Sequence, residues 1–380
     1  MPTRQSIAVN TRFLIKNKLE GIGLFTYESL KRITKAHPEI DFYFLFDRPF
    51  DQEFIFGDNV KPVVLFPPAR HPFLWYWWFE VSVKNWLKKN KPSLFLSTDG
   101  YACLGTDIPQ VTVIHDLAFE HFKEHVPFLT LAYYQYYMPR FAKKATRIAT
   151  VSEFSKKDIV DLYGVSPDKI DVVYNGAKEV YQPATEETRR SIKDKYSSGK
   201  EYFIYVGSIH PRKNIGRLLL AFEQYKEKTH SDFKLLLIGR KAWDFAEVEI
   251  IHREMKWEDD VLFLGHIPPN ELGPLTASAY AMVYVSLFEG FGIPIVEAMS
   301  CGVPVITSNT SSMPEAGGEA ALLVNPLSVD ETAAAMQKIS ADANLRQSLI
   351  DKGKIQLKKF SWELTAEKLW RCCQTALPKQ

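Results

Sequence analysis

Short apolar runs alternate with stretches of helical spacing along most of this chain. Ile7 to Asn10, Phe42 to Phe46, Leu94 to Ser97, Val111 to Ile114 and Arg147 to Val151 have the length and apolar character of strands buried on both faces. Leu24 to Ala36 and Leu129 to Ala142 lie between them and read as helices. After residue 200 the alternation restarts, with strands predicted at Tyr202 to Val206, Phe233 to Ile238, Val261 to Leu264, Ala281 to Ser286 and Val303 to Thr307. Such alternation predicts an α/β protein of parallel sheets covered by helices on both faces. The stretch from Ala177 to Lys200 interrupts it with Pro183, many charges and Ser197-Ser198-Gly199, and has no sustained apolar strand. Two doubly wound, Rossmann-like domains in series are therefore expected: 1–180, a linker at 181–200 with one exposed helix, and 201–359. Residues 360–380 carry Trp362, Leu364, Leu369 and Trp370 at helical spacing, and this helix is expected to pack back on the first domain. Ligands of such sheets bind beyond the carboxyl ends of the strands, so the expected site is a cleft between the domains.

At 380 residues, 46% hydrophobic and 24% charged, the chain is long enough for two ordinary cores. A net charge of +2 excludes a general nucleic-acid binder. Cys103, Cys301, Cys372 and Cys373 have no metal-ligand spacing and read as reduced thiols. The first ten residues lack the apolar core of a signal peptide, and no apolar run reaches the ~18 residues needed to cross a bilayer, so a cytoplasmic location is expected. The segment from Arg70 to Lys91 complicates that picture, because it sets Phe73, Leu74, Trp75, Tyr76, Trp77, Trp78, Phe79 and Trp86 beside Lys84, Lys88, Lys89 and Lys91. It is either an apolar helix packed in the domain core or an amphipathic surface for peripheral contact with the inner membrane.

Chemistry concentrates between Glu289 and Glu297. Gly290 and Gly292 remove side-chain bulk around Phe291, and Pro294 suits the first turn of a helix that would start near Ile293. Backbone amides and the positive end of that helix could then receive a phosphate, with Glu297 in the first turn and Glu289 before it reaching hydroxyls of the same ligand. The bland reading is a strand-to-helix turn with a capping carboxylate.

A second turn, Gly207-Ser208-Ile209-His210-Pro211-Arg212-Lys213-Asn214, precedes the helical pattern Ile215, Leu218, Leu219 and Phe222. Arg212 and Lys213 at a helix start oppose the helix dipole, which calls for an anionic partner such as a diphosphate. The alternative is a solvated basic turn. In the first half, Glu20-Gly21-Ile22-Gly23 is another close-approach turn, and His115-Asp116 emerges at the end of the strand Val111 to Ile114. His115 there either bonds a sugar hydroxyl or is structural, and Asp116 is placed to cap the next turn.

Taken in order, these residues resemble the retaining glycosyltransferases of group 1, or family 4, which have the two-domain GT-B fold. The resemblance rests on Glu289 to Glu297 with Ala298-Met299-Ser300-Cys301-Gly302-Val303-Pro304-Val305, supported by Gly21-Ile22-Gly23, His115-Asp116, Val151 to Ser155, Asn175-Gly176, Pro211 to Asn214 and Pro314-Glu315. It implies that Glu297 holds the nucleotide ribose and that Glu289 contacts the transferred sugar beside its anomeric carbon. It implies too that the amides of Phe291, Gly292 and Ile293, with Arg212 and Lys213, hold the diphosphate, that Gly21 and Gly23 close over it, and that His115 lies near sugar and acceptor. Gly207 matches a family glycine that an arginine often follows; here Ser208 follows, and Arg212 is the substitute. Pro211-Arg212-Lys213-Asn214 resembles the mannosyltransferase branch.

The implied reaction moves a sugar from a GDP- or UDP-linked donor to a glycan or lipid-linked acceptor hydroxyl with retention, without a metal or cofactor. The competing readings are a sugar-nucleotide epimerase of similar fold, a non-catalytic sugar-nucleotide binder and a membrane-surface scaffold.

Overall fold

The computed structural model describes residues 5–240 and 245–377; residues 1–4, 241–244 and 378–380, which fall within ranges assigned above, lie outside it. The chain divides into two units, Met1–Asn175 with Trp362–Gln380 and Gly176–Ser361.

Unit 1 is built on a seven-stranded sheet: β1 (Ser6–Asn10), β2 (Asp41–Phe46), β3 (Val60–Val64), β4 (Leu94–Ser97), β5 (Gln110–Ile114), β6 (Arg147–Thr150) and β7 (Ile170–Val172). Their order is β3-β2-β1-β4-β5-β6-β7, and every pairing is parallel. Parallel strands need crossover connections, so helices cover the faces and the central strands lose contact with water. Ala8, Val9, Phe42, Phe95 and Val113 are accordingly fully buried. The helices are α1 (Ile22–Ala36), α2 (Pro72–Trp77), α3 (Lys84–Asn90), α4 (Ala118–His121), α5 (Phe128–Lys144) and α6 (Glu153–Tyr163). α1 starts one residue after Gly21 and buries Leu24, Phe25, Leu30 and Ile33.

The aromatic segment is core in its second half and exposed in part of its first. A π-helical turn, Trp78–Val83, joins α2 to α3 and turns Trp78, Phe79 and Val83 inward, while Leu87 of α3 joins the same core. Phe73, Tyr76 and Trp77 of α2 remain 65%, 42% and 44% exposed. The segment is thus a core element with an aromatic outer edge.

Unit 2 carries a six-stranded parallel sheet: β8 (Tyr202–Val206), β9 (Lys234–Ile238), β10 (Val261–Gly265), β11 (Ala281–Tyr284), β12 (Val305–Ser308) and β13 (Ala321–Val324), ordered β10-β9-β8-β11-β12-β13. Its helices are α7 (Glu186–Ser197), α8 (Ile215–Thr229), α9 (Phe245–Glu254), α10 (Pro269–Ala277), α11 (Ile293–Ser300), α12 (Met313–Gly317), α13 (Val329–Ala341) and α14 (Ala343–Gln356). The expected linker at 181–200 is corrected here. Tyr181 is buried in the core of unit 2, and α7, capped by Thr185 Oγ1 accepting from Thr188 N, belongs to the same unit, which begins at Gly176. Charge and proline obscured it, because α7 buries only Ser197 fully.

The chain finishes on unit 1. α15 (Trp362–Ala376) lies against α1 through the Arg32 to Glu363 ion pair at 2.8 Å and the edge-on contact of Trp362 with Phe25, and Trp370 stacks on His37 with ring centroids 4.1 Å apart.

Neighbouring aromatics in the segment separate core from surface. Trp78→Ala should cost about 3–5 kcal/mol in urea unfolding, as a fully buried aromatic truncation does, and Trp77→Ala under about 1 kcal/mol. Equal losses would overturn this division of the segment.

Candidate functional site

The two sheets share a topological property that decides where chemistry can gather. In unit 2 the strand order reverses between β8 and β11. In doubly wound sheets the loops leaving the two strands at such a reversal diverge to opposite faces, and ligand crevices open there at the carboxyl ends. The loop after β8 contains Gly207 and ends in a 3-10 turn, Pro211–Lys213, with Asn214 at φ 64° before α8. The loop after β11 contains Glu289 and ends at Gly292, with φ 98°, before α11. Leu287 N donates to Arg212 O at 2.9 Å, and Asn214 Nδ2 donates to Val285 O at 3.0 Å and to Pro326 O at 2.7 Å. These bonds fasten one loop to the other.

Between them lies a closed set of charges. Lys213 Nζ is 2.5 Å from Glu289 Oε1 and donates to Tyr284 Oη at 2.8 Å, while Tyr284 Oη donates to Glu289 Oε1 at 3.0 Å. Arg212 Nη1 is 3.1 Å from Glu289 Oε2 and also bonds Phe288 O. The backbone of Glu289 is held as well, its N–H donating to Ser311 Oγ and its carbonyl accepting from Ser312 Oγ. Glu289 is only 8% exposed. Burial pushes its carboxyl up, but Lys213 and Arg212 outweigh that and hold it down at about 2. Glu289 is thus a carboxylate at any physiological pH.

Glu297 has the opposite character. α11 begins at Ile293, so Glu297 stands in its second turn rather than the first, and is 7% exposed. Burial pushes it up to about 7, against the lowering effect of Lys178 and a hydrogen bond with Tyr181. The two glutamates bracketing the turn are therefore shifted in opposite directions, Glu289 toward its ionised form and Glu297 toward its neutral one. Gly292 is favoured by its φ of 98°, a left-handed conformation that other residues rarely adopt. Gly290 is buried beside it, and the ring of Phe291 packs edge-on against Phe360 at 5.3 Å. Gly207 leaves room for Tyr205 Oη, and Gly239 leaves room for the Gly207 carbonyl, with which a Cβ at 239 would collide.

In unit 1 the reversal falls between β1 and β4. His115, which follows β5, places Nε2 2.9 Å from the carbonyl of Thr98, just after β4, and meets the ring of Phe25 edge-on. Burial draws its pKa down, against the raising effects of the Thr98 bond, Asp116 and Asp99. Asp116 Oδ1 accepts from Ala118 N, the first amide of α4, at 2.9 Å, while Leu117 stands at the cap position. Gly21 caps α1 at φ 49°, and a Cβ on Gly23 would lie 2.8 Å from Phe13 O, so the close approach at Gly23 is to the chain itself. The structure brings together Glu289, Arg212 and Lys213, with Gly290 to Ile293 and Glu297 on the same loop and helix. Gly21, Gly23 and His115 belong to unit 1. Tyr284, Ser311, Ser312, Tyr181 and Lys178 escaped the sequence reading. Of these, Ser311 and Ser312 lie one residue before the Pro314-Glu315 pair, which marked their neighbourhood but not the serines themselves.

Two family models match along the chain, glycosyltransferase family 4 over residues 19–179 and glycosyl transferases group 1 over residues 186–356. The O-antigen chain mannosyltransferase B of Escherichia coli is 34% identical over 255 residues, 67% of this chain and 67% of that protein. The chain is a group 1 glycosyltransferase. The MMP alpha-(1->4)-mannosyltransferase of Mycolicibacterium hassiacum is 30% identical over 233 residues, 60% of this chain and 53% of that protein. Among solved structures, sucrose-phosphate synthase from Thermosynechococcus elongatus superposes with a TM-score of 0.79 at 18% identity, covering 98% of this chain and 99% of that one. HepE from Anabaena, in complex with UDP and glucose, superposes with a TM-score of 0.75 at 17% identity, covering 97% of this glycosyltransferase and 99% of that chain. The fold is that of GT-B glycosyltransferases, two Rossmann-like α/β units.

The raised pKa of Glu297 gives this glycosyltransferase a testable pH signature. A carboxyl raised from 4.5 to about 7 adds stability that is present below pH 4.5 and lost as pH rises through 7, up to about 3 kcal/mol. Glu289, lowered to about 2, contributes in the opposite direction, with stability present above pH 4.5 and lost as pH falls toward 2. Urea titrations should show wild-type stability declining between pH 5 and 7.5 and Glu297→Gln lacking that decline. Parallel curves would show that Glu297 is already ionised at pH 5.

Proposed function

We propose that this glycosyltransferase moves a mannosyl residue from a GDP- or UDP-linked donor to a hydroxyl of a glycan or lipid-linked acceptor, with retention of anomeric configuration. The reading rests on the bracing of Glu289 by Lys213 and Arg212 at the strand-order reversal of unit 2. The mannosyltransferases among the relatives favour the sugar.

In this reading Arg212 and Lys213, with the first amides of α11 from Gly292 and Ile293, meet the negative charge that builds on the leaving diphosphate. That charge is then neutralised by protein groups, so no metal is required. Glu297 accepts from the nucleotide ribose, and Gly207 keeps the loop after β8 low enough for the donor to approach. His115, Gly21 and Gly23 act from unit 1.

Retention constrains the chemistry of Glu289. As the bond from the anomeric carbon to the phosphate oxygen breaks, the acceptor oxygen bonds that carbon on the same face, and its proton passes to the departing phosphate. Glu289 cannot supply a proton, because its neighbours hold it ionised. It orients the sugar and stabilises positive charge at the anomeric carbon.

Membrane contact is the finer part of the same reading. Phe73, Tyr76 and Trp77 form an exposed aromatic edge on α2, suited to the interface of a bilayer that presents a lipid-linked acceptor. Among the described residues no helix is long and apolar enough to cross a membrane. Flotation with anionic liposomes should carry the wild type upward and leave Trp77→Glu behind. Trp78→Glu is unsuitable for that test, because Trp78 is core.

Glu289→Gln should lower kcat with GDP-mannose by about 10²-fold or more while donor affinity changes little. An unaltered kcat would remove Glu289 from the chemistry. In thermal-shift titrations, GDP-mannose at 100 times its Kd should stabilise the wild type by about 2.7 kcal/mol. Arg212→Ala with Lys213→Ala should need about tenfold more ligand for the same shift. The sugar assignment fails if UDP-glucose stabilises and GDP-mannose does not.

A further inference from the structure

The strand-order reversal of unit 1 holds a buried ion pair that the proposed reaction does not use. Arg12 follows β1 and Asp99 follows β4, the two neighbouring strands between which the order turns. Arg12 Nε bonds Asp99 Oδ2, and the two side chains are 6% and 0% exposed. Aromatic rings surround the guanidinium, with Tyr101 at 4.2 Å, Phe13 at 5.0 Å, Phe79 at 5.5 Å and Trp75 at 6.0 Å. Burying two charges is costly, and an apolar pair of similar volume would commonly serve stability as well. A role in placing other groups accounts for what stability does not.

The hydrogen bonds lead to such a group. Asp99 Oδ1 also accepts from Asn10 Nδ2 at 2.8 Å and Ser97 Oγ at 3.0 Å, so its carboxylate is fixed from three sides. The preceding residue, Thr98, is fixed too. Its Oγ1 donates to Asn10 O at 3.3 Å and accepts from Thr26 Oγ1 at 2.8 Å. The peptide plane between Thr98 and Asp99 is therefore locked on both sides, and its carbonyl is the one that faces His115 Nε2 at 2.9 Å. A carbonyl only accepts, so the ring carries its proton on Nε2, and, in the neutral ring that burial favours, Nδ1 is left as an acceptor.

We infer that Arg12 and Asp99 are positioning residues for His115: by locking the Thr98 carbonyl they hold the imidazole in its Nε2–H form, so that Nδ1 accepts a hydrogen bond from a ligand hydroxyl. The partner of Nδ1 is a donor, a sugar or acceptor hydroxyl, and not a phosphate oxygen. This inference rests on the placement of His115 near sugar and acceptor under the proposed function. The other charged neighbour of the ring, Asp116, has an oxygen committed to Ala118 N.

The test reads the tautomer directly. Long-range proton–nitrogen spectra of the ¹⁵N-labelled full chain, with the His115 signals assigned by loss in His115→Asn, should show a single Nε2–H form in the wild type. Arg12→Met and Asp99→Asn, with circular dichroism unchanged, should show exchange between both tautomers. Their kcat should fall about tenfold with KM within about twofold, as expected when a reacting group is misplaced while substrate binding is kept. Arg12→Lys, which keeps the charge, should recover part of the single-tautomer signal and provides a variant if Arg12→Met does not fold. A wild-type spectrum in folded Arg12→Met and Asp99→Asn overturns the inference. His115→Asn with full activity would instead remove His115 from the reaction while leaving the tautomer result standing.

Discussion

A carboxylate with 8% exposure survives as an anion only if cations and hydrogen bonds replace its water, and Glu289 obtains both. Much of the local architecture of unit 2 follows from that requirement. Lys213 and Arg212 must come from the loop after β8, Tyr284 from the end of β11, and Ser311 with Ser312 from the loop after β12. Three neighbouring strand ends thus converge on a single residue, two of them on its carboxylate and the third on its backbone. Asn214, at a left-handed φ that favours asparagine, ties the cation-bearing turn to the strand that carries Tyr284. A fixed negative charge with two cations beside it suits a ligand that is itself anionic at one end and electron-poor at the other.

Strand interiors were legible in the sequence because both faces of a parallel sheet are dry. Leu94–Ser97 and Tyr202–Val206 coincide with their predicted limits for that reason. The strands that escaped notice, β3, β7 and β13, are all edges. β3 contains Pro62, β7 has three residues and β13 leaves Leu323 exposed, so none gives an unbroken apolar run. An edge tolerates proline because one side of its ladder is empty, which removes the signal that identifies a central strand.

The candidate site divides in the same way. Glycine, glutamate, arginine and lysine at turn positions announce themselves through the costs they carry there. Tyr284 reads as strand core, and Ser311 and Ser312 have no spacing that singles them out. Their roles depend on which loops the sheet brings together. The depth of Glu297 depended on a single structural detail, that α11 starts at Ile293, which carries the carboxylate past the solvated first turn.

Unit 2 occupies one uninterrupted stretch, Gly176–Ser361, whereas unit 1 needs α15 from beyond it. During synthesis, all of unit 2 is made before Trp362 exists. The face of Phe25 that Trp362 covers waits through that interval. Domains fold largely as units while the chain is being made. The part that begins first is therefore the part that finishes last, and a nascent chain stalled before residue 362 would expose an incomplete first core beside a completed second one.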